Sequence, residues 1–399
     1  MRRTILVIGI FELIALGIAL LGMRMGLQSD EAKYLLEVPF SLPHAIRWFL
    51  SFGASLTFHE FLMRFVLASI AVQAGWLLWD LGTVLPLERQ MALVGTWLLS
   101  AALIMQGGTL LPVTMTTVCG LAFVWVALHP EGTGHCRGPC VGLLWLLSLF
   151  ISYQCLLYAP LVWSGLRSNR AHLRESVLYF TIPVLLLGIY LLGYPLAVAG
   201  MPQIPTQDMP LETGQRFLLA MKIFLFAGGY VTSVVGLWGI LTGGRRDLFL
   251  SLILILTFIL LFPRQHHAVL LLPLLTGGFF LLFCRRKVPP RGFLLLQTVA
   301  TIIVIIIHPP KKSLNIARET MAALHAQGIT TGMILIDGAY GHEWQYESRQ
   351  PIRTFSQELR ASIEEQAAVF ICTKKSCEDD RNFDLWTKRI SAPLEVWTK

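Results

Sequence analysis

The sequence predicts an α-helical polytopic membrane protein of about eleven transmembrane helices, followed by a small C-terminal extracytoplasmic α/β domain. Three observations predict it. Of 399 residues, 55% are hydrophobic and only 14% charged, with a mean hydropathy of +0.63 that no ordinary soluble domain reaches. Apolar stretches approaching the roughly 20 residues needed to cross a bilayer recur from Thr4 to Ile307. From residue 311 onward the composition changes, and helical and strand patterns alternate. The expected division is 1–308 for the membrane part and 309–399 for the terminal domain.

Basic loops set the expected topology, because Lys and Arg concentrate on the cytoplasmic side. Arg2 and Arg3 place the N-terminus in the cytoplasm. The first run, Thr4 to Met23, is read as a span and not as a signal peptide, since no small-x-small cleavage site follows and many spans come after it. It delivers Asp30-Glu31 to a long outer loop, residues 25–60. The amphipathic stretch His44 to Leu50 in that loop suits the membrane interface. A second span (62–82) returns to the cytoplasm near Arg89. Spans three (91–106) and four (109–128) form a hairpin turning at Gln106-Gly107-Gly108. The apolar block 141–166 is read as two short spans bending around Ser152-Tyr153-Gln154, because both its flanks belong inside; the alternative, one crossing with the preceding loop outside, puts the earlier spans out of agreement with Arg2 and Arg3. Further spans follow at 177–199, 217–241, 248–262, 268–283 and 292–307. The terminal segment then reads as a helix (Leu314 to Gln327) stopped by Gly328, a strand (Gly332 to Asp337), a helix (355–366), a strand (Ala368 to Thr373) and a final helix and strand within Phe383 to Trp397.

The net charge is +8, yet residues 311–399 hold 12 Lys+Arg and 12 Asp+Glu, so the excess lies wholly in the membrane part. A nucleic-acid partner would need a basic face on a soluble domain, and none is present. Cytoplasmic loop charge accounts for the excess. Cys119, Cys155 and Cys284 lie in or beside apolar spans. The pairs Cys136/Cys140 and Cys372/Cys377 lack the His partners of a zinc site. If the segment is extracytoplasmic, a Cys372–Cys377 disulfide and a free pair stand as equal alternatives.

Three constellations carry candidate chemistry. Asp30-Glu31, at the exit of the first span, reads either as a general base or divalent-cation ligand, or as solvated acids ending a helix. Lys33 beside them is a substrate-binding candidate. Glu60 and Arg64, spaced i,i+4 on one helix face, read as a structural ion pair anchoring the second span. Arg264, His266 and His267, on the outer side by the topology above, suit a phosphate or pyrophosphate, against the alternative of interface snorkelling. His44 can join either centre, or serve structure alone. Nucleotide-loop and nucleophile-elbow patterns are absent, as is a charge ladder through the spans.

These features, in this order, resemble the polytopic GT-C glycosyltransferases, in the branch of aminoarabinose transferases and bacterial protein O-mannosyltransferase-like proteins. Ser29-Asp30-Glu31-Ala32 is similar to their Asp-Glu dipeptide after the first span. Leu42-Pro43-His44-Ala45-Ile46-Arg47-Trp48 resembles their amphipathic loop, and Phe58-His59-Glu60 to Arg64 keeps their Glu-to-Arg spacing. Arg264 to Pro273 is similar to their late basic group before Leu-Leu-Pro. The resemblance implies a sugar donor on polyprenyl phosphate, a lipid, glycan or protein acceptor, and transfer at the outer, periplasmic face of a bacterial inner membrane. It also implies Asp30 as base with Glu31 as neighbour, Arg264 as donor-phosphate contact, and a possible divalent cation at Asp30 and Glu31. The chain departs from the pattern at Gly108 to Thr114, where no carboxylate opens the fourth span, and at Ser41-Leu42, which replace a Glu-Lys. The alternative expectation is a non-catalytic lipid-linked sugar binder or translocase. A secondary transporter ranks below both, because inverted halves are not visible.

Overall fold

The computed structural model describes residues 2–25, 29–36, 44–52, 56, 58–129, 137–167, 173–193, 213–285, 290–307, 316–328, 333–337, 347, 352–354, 367–372, 387–390 and 395–398. The chain divides into two compact units. The first takes Met1–Gly22, Pro39–Leu50 and Ser55–Pro310; the second takes Met23–Val38, Ser51–Ala54 and Lys311–Lys399.

The first unit is helical throughout its described residues. Its helices are α1 (Arg2–Met25, whose last residues pass into the second unit), α3 (His44–Ser51), α4 (His59–Gln73), α5 (Gly75–Leu81), α6 (Leu87–Leu98), α7 (Ala101–Gln106), α8 (Pro112–Leu128), α9 (Arg137–Ile151), α10 (Ala159–Arg167), α11 (Leu173–Gly193), α12 (Thr213–Ala227), α13 (Val231–Gly243), α14 (Arg246–Leu261), α15 (Leu272–Arg285) and α16 (Pro290–Ile307). α2 (Ser29–Leu35) belongs to the second unit. Among the described residues, four stretches are long and apolar enough to cross a membrane: Val7–Met25, His59–Val84, Leu173–Gly193 and Gln265–Arg285. A bent pair, α12 and α13, makes a fifth if counted as one span. Apolar side chains face outward on these spans and on the shorter α16, with Leu13 at 68%, Leu192 at 83% and, on α16, Ile306 at 70% exposure. Water would penalise such a surface, and hydrocarbon does not. The chain is a polytopic α-helical membrane protein.

Other predicted spans are shorter or interrupted, and local chemistry explains the breaks. The third predicted span divides between α6 and α7 at Ser100, whose hydroxyl caps α7 by accepting from Leu103 N at 3.2 Å. The apolar block 141–166 breaks at Ser152 into α9, a 3-10 segment Tyr153–Tyr158 and α10, at the residues where the bend was expected. The predicted straight span 217–241 is corrected: it turns through 95° between α12 and α13. Gly229 (φ 66°) opens the elbow, and Tyr230 follows at φ 67°, ψ −58°, with Val231 N donating to Gly229 O at 2.9 Å. That is a tight γ-turn, a strained conformation for a residue with a side chain.

Fully buried Gln297 on α16 stabilises both breaks. Its Nε2 donates to Leu99 O (3.2 Å) and Gly228 O (2.7 Å), while its Oε1 accepts from Thr232 N (3.1 Å) and Oγ1 (2.9 Å). In hydrocarbon each of these backbone groups needs such a partner. Elsewhere α13 and α15 approach so closely that a Cβ on Gly239 would overlap Gly278 O, and one on Gly278 would overlap Gly236 O. Small residues permit that contact, which is how membrane helices gain packing energy. Arg89, Arg245 and Arg285 each donate to carbonyls at the ends of neighbouring helices, on Phe283, Ala127 and Gly243, and Arg291 pairs with Glu88 at 2.6 Å.

The second unit carries α2, a helix α17 (Ile316–Ala326) and a five-stranded sheet. The strands are β1 (Met333–Asp337), β2 (Ile352–Thr354), β3 (Ala367–Cys372), β4 (Thr387–Ile390) and β5 (Glu395–Thr398), in the order β2-β1-β3-β5-β4. β1 runs parallel to β2 and β3, and β5 runs antiparallel to β3 and β4. Gly328, at φ 76°, follows α17 where a stop was read. The final helix and strand are corrected to an antiparallel pair, β4 and β5, and β2 was not foreseen. The helix expected at 355–366 lies outside the described residues, as do Cys136 and Cys377.

Candidate functional site

The turn at Arg264 begins where α14 runs out. Phe262 and Pro263 end the helix, and Arg264, in extended backbone, leads into a 3-10 segment Gln265–Leu271. His267 N donates to Arg264 O at 3.0 Å. The His267 ring is buried, donates through Nδ1 to Phe262 O at 2.8 Å and packs on Phe258 at 4.8 Å. It therefore holds the turn together. His266 is half-buried, edge-on to His267 at 4.4 Å, and the Arg264 side chain is exposed. An exposed guanidinium on a rigid turn matches the geometry of a phosphate.

Glu60 and Arg64 form a buried ion pair on α4, at 2.9 Å and with side-chain exposures of 6% and 1%. Arg64 Nη1 also donates to Gly108 O at 2.9 Å. Gly22 of α1 leaves room for this guanidinium, since a Cβ there would lie 3.2 Å from Arg64 Cδ and from Gly108 O. The pair thus ties α1, α4 and the turn after α7 into one block, deeper than the interface anchor expected from spacing. His59 beside it is fully buried and bonds Leu50 O of α3 at 2.8 Å.

α2 carries Asp30, Glu31 and Lys33 within the second unit. Glu31 is buried, at 1% exposure, along with Ala32, Tyr34 and Leu35. A carboxylate kept from water needs a partner, and Glu31 has contacts of its own. The side chains of Asp30, Lys33 and His44 lie outside the described residues; His44 opens α3. Among the described residues no group of three or more His, Cys, Asp or Glu side chains could hold a metal ion.

Sequence reasoning passed over two polar residues. Glu12, inside the first span, accepts from Ser69 Oγ and Gln73 Nε2, each at 2.8 Å, and Gln73 in turn accepts from Trp76 Nε1 at 2.8 Å. A lone acid in an apolar run was the available signal. Gln106, at the end of α7, is buried, and nothing in its spacing marked it.

No family model matches the sequence, and no curated protein matches it. Solved structures do. ArnT from Cupriavidus metallidurans in the apo state aligns with a TM-score of 0.68 at 11% identity, over 99% of this chain and 98% of that one. This chain has the fold of ArnT. ArnT from the same organism bound to undecaprenyl phosphate aligns with a TM-score of 0.66 at 12% identity, with the same coverage. ArnT is a GT-C aminoarabinose transferase, so the resemblance carried by the motifs extends to the architecture of nearly the whole chain.

Proposed function

We propose that this chain is an inverting membrane glycosyltransferase of the GT-C type. It would move a sugar from a polyprenyl-phosphate donor to a lipid, glycan or protein acceptor at the periplasmic face of a bacterial inner membrane. The observation that carries the reading is the ArnT fold running through 99% of the chain.

In the proposed step an acceptor hydroxyl attacks the anomeric carbon of the donor. The new carbon–oxygen bond forms as the bond to phosphate breaks, and its electron pair leaves with the polyprenyl phosphate. Asp30 takes the acceptor proton, with Glu31 beside it. Arg264 neutralises the departing phosphate, His266 beside it offers a ring N–H, and His267 fixes their turn. Lys33 and His44 are the further substrate-binding candidates. Glu60 and Arg64 hold the frame.

The topology belongs to the same proposal: a cytoplasmic N-terminus, about eleven crossings, and residues 309–399 as an extracytoplasmic α/β domain. Support comes from the basic loops read as cytoplasmic, which bond one another's helix ends: Arg89 to Phe283, Arg245 to Ala127, Arg285 to Gly243, and Arg291 to Glu88.

Asp30→Asn tests the reading directly. In purified protein supplied with undecaprenyl-phosphate sugars, transfer should fall by about 10²- to 10⁴-fold, the usual worth of a positioned base, while lipid binding is kept. Transfer undiminished in Asp30→Asn but lost in Arg264→Ala would move the chain to the class of non-catalytic binders or translocases.

A further inference from the structure

Gln106 is 7% exposed, yet its side-chain Oε1 has no hydrogen-bond partner among the described residues. A buried acceptor without a donor is costly, and native chains keep one chiefly where something absent from the bare protein supplies the donor. The donors nearest in the chain are already committed. Thr109 N and Oγ1 give their hydrogens to the main-chain oxygen of Gln106, at 3.0 and 2.7 Å, and Thr114 Oγ1 reaches the same oxygen at 3.3 Å. The Arg64 guanidinium is engaged by Glu60 and by Gly108 O. The turn also packs closely on α1: a Cβ on Gly108 would lie 3.0 Å from Ile18 O.

The position of this turn gives the vacancy a meaning. α7, which Gln106 ends, packs against the 3-10 segment Gln265–Leu271 that Arg264 opens. The turn that follows α7, at Gly107 and Gly108, packs on the outgoing end of α1, at Ile18 and Gly22, from which the sequence runs on to Asp30 and Glu31. The unsatisfied acceptor thus ends a helix that packs on the segment Arg264 opens, and a donor whose phosphate is held by Arg264 would bring its sugar toward that helix.

We infer that Gln106 is a specificity-determining residue whose carboxamide oxygen accepts a hydrogen bond from a hydroxyl or amino group on the donor sugar. The inference rests on the transferase reading and deepens it. A site built to hydrogen-bond one group discriminates strongly against a ligand that lacks it, because the protein group is then left unpaired.

The test uses the full chain in nanodiscs, with four probes: undecaprenyl phosphate, and the same lipid carrying glucose, mannose or 4-amino-4-deoxyarabinose. Gln106→Met keeps the length of the side chain and removes the acceptor. Wild type and variant should bind the bare lipid equally. The sugar lipid that wild type prefers should bind the variant about tenfold more weakly, the usual worth of one good hydrogen bond. The ligand-free variant should melt no lower than wild type, since the orphan acceptor is gone. Equal losses on bare and sugar-bearing lipids, or no loss on any of them, would overturn the inference and leave the transferase reading standing. Failure of wild type to bind the bare lipid would overturn both.

Discussion

At the residue scale, the buried pair on α4 shows what spacing reveals and what it hides. Glu60 and Arg64 are four apart, so their sharing of a helix face follows from the period alone. Their burial does not, because it depends on Gly22 of α1 and Gly108 after α7, both remote in sequence. Burial changes the energetics. An exposed pair is worth little, but removing one member of a buried pair leaves the other charge stranded. Arg64→Met should therefore cost about 3–5 kcal/mol, seen as a large fall in thermal midpoint. The double change Glu60→Met with Arg64→Met should cost less than the single one. A double variant worse than Arg64→Met would show that the pair is not the unit of stability here. Glu31 teaches the same lesson: its place after the first span was legible, and its near-complete burial was not.

Whole helices add a constraint that single residues lack, the distance of approach. α13 and α15 touch along Gly236, Gly239 and Gly278, where backbone meets backbone. Gly239→Leu should force the pair apart and leave little folded protein by size-exclusion chromatography. Gly9 on α1 is the control, with nothing within 4 Å of a Cβ placed there. Gly9→Ala should be neutral or stabilise by up to about 1 kcal/mol, through lost backbone freedom in the unfolded chain. Equal damage from both changes would show that glycine content, and not close approach, matters. The elbow between α12 and α13 is a second product of packing between elements. An unbroken apolar run predicts a straight span there. The chain bends instead because Gln297 of a later helix satisfies the Gly228 carbonyl that the break exposes, and because Thr232 N and Oγ1 donate to the same Gln297.

For the molecule as a whole, the topology proposal makes a clean prediction. In a cysteine-free background, Gln327→Cys at the exposed end of α17 should react with an impermeant maleimide added to whole spheroplasts. Glu88→Cys, in the first turn of α6 and paired with Arg291, should react only after the membrane is opened. The opposite pattern would invert every assignment of sides, and with it the outer-face location of the chemistry. Membrane class, the approximate places of the helices and the candidate groups at residues 30–31, 60–64 and 264–267 were determined by the amino-acid sequence alone. Hydropathy, helix period and loop charge act over a single turn or span, so they can be read without knowing the fold. Tertiary structure alone decided which helices break, which charged pair is buried, that the last segment ends in two antiparallel strands, and that Gln106 lacks a donor. Each of these depends on groups brought close from distant parts of the chain, and no local pattern records which groups those will be.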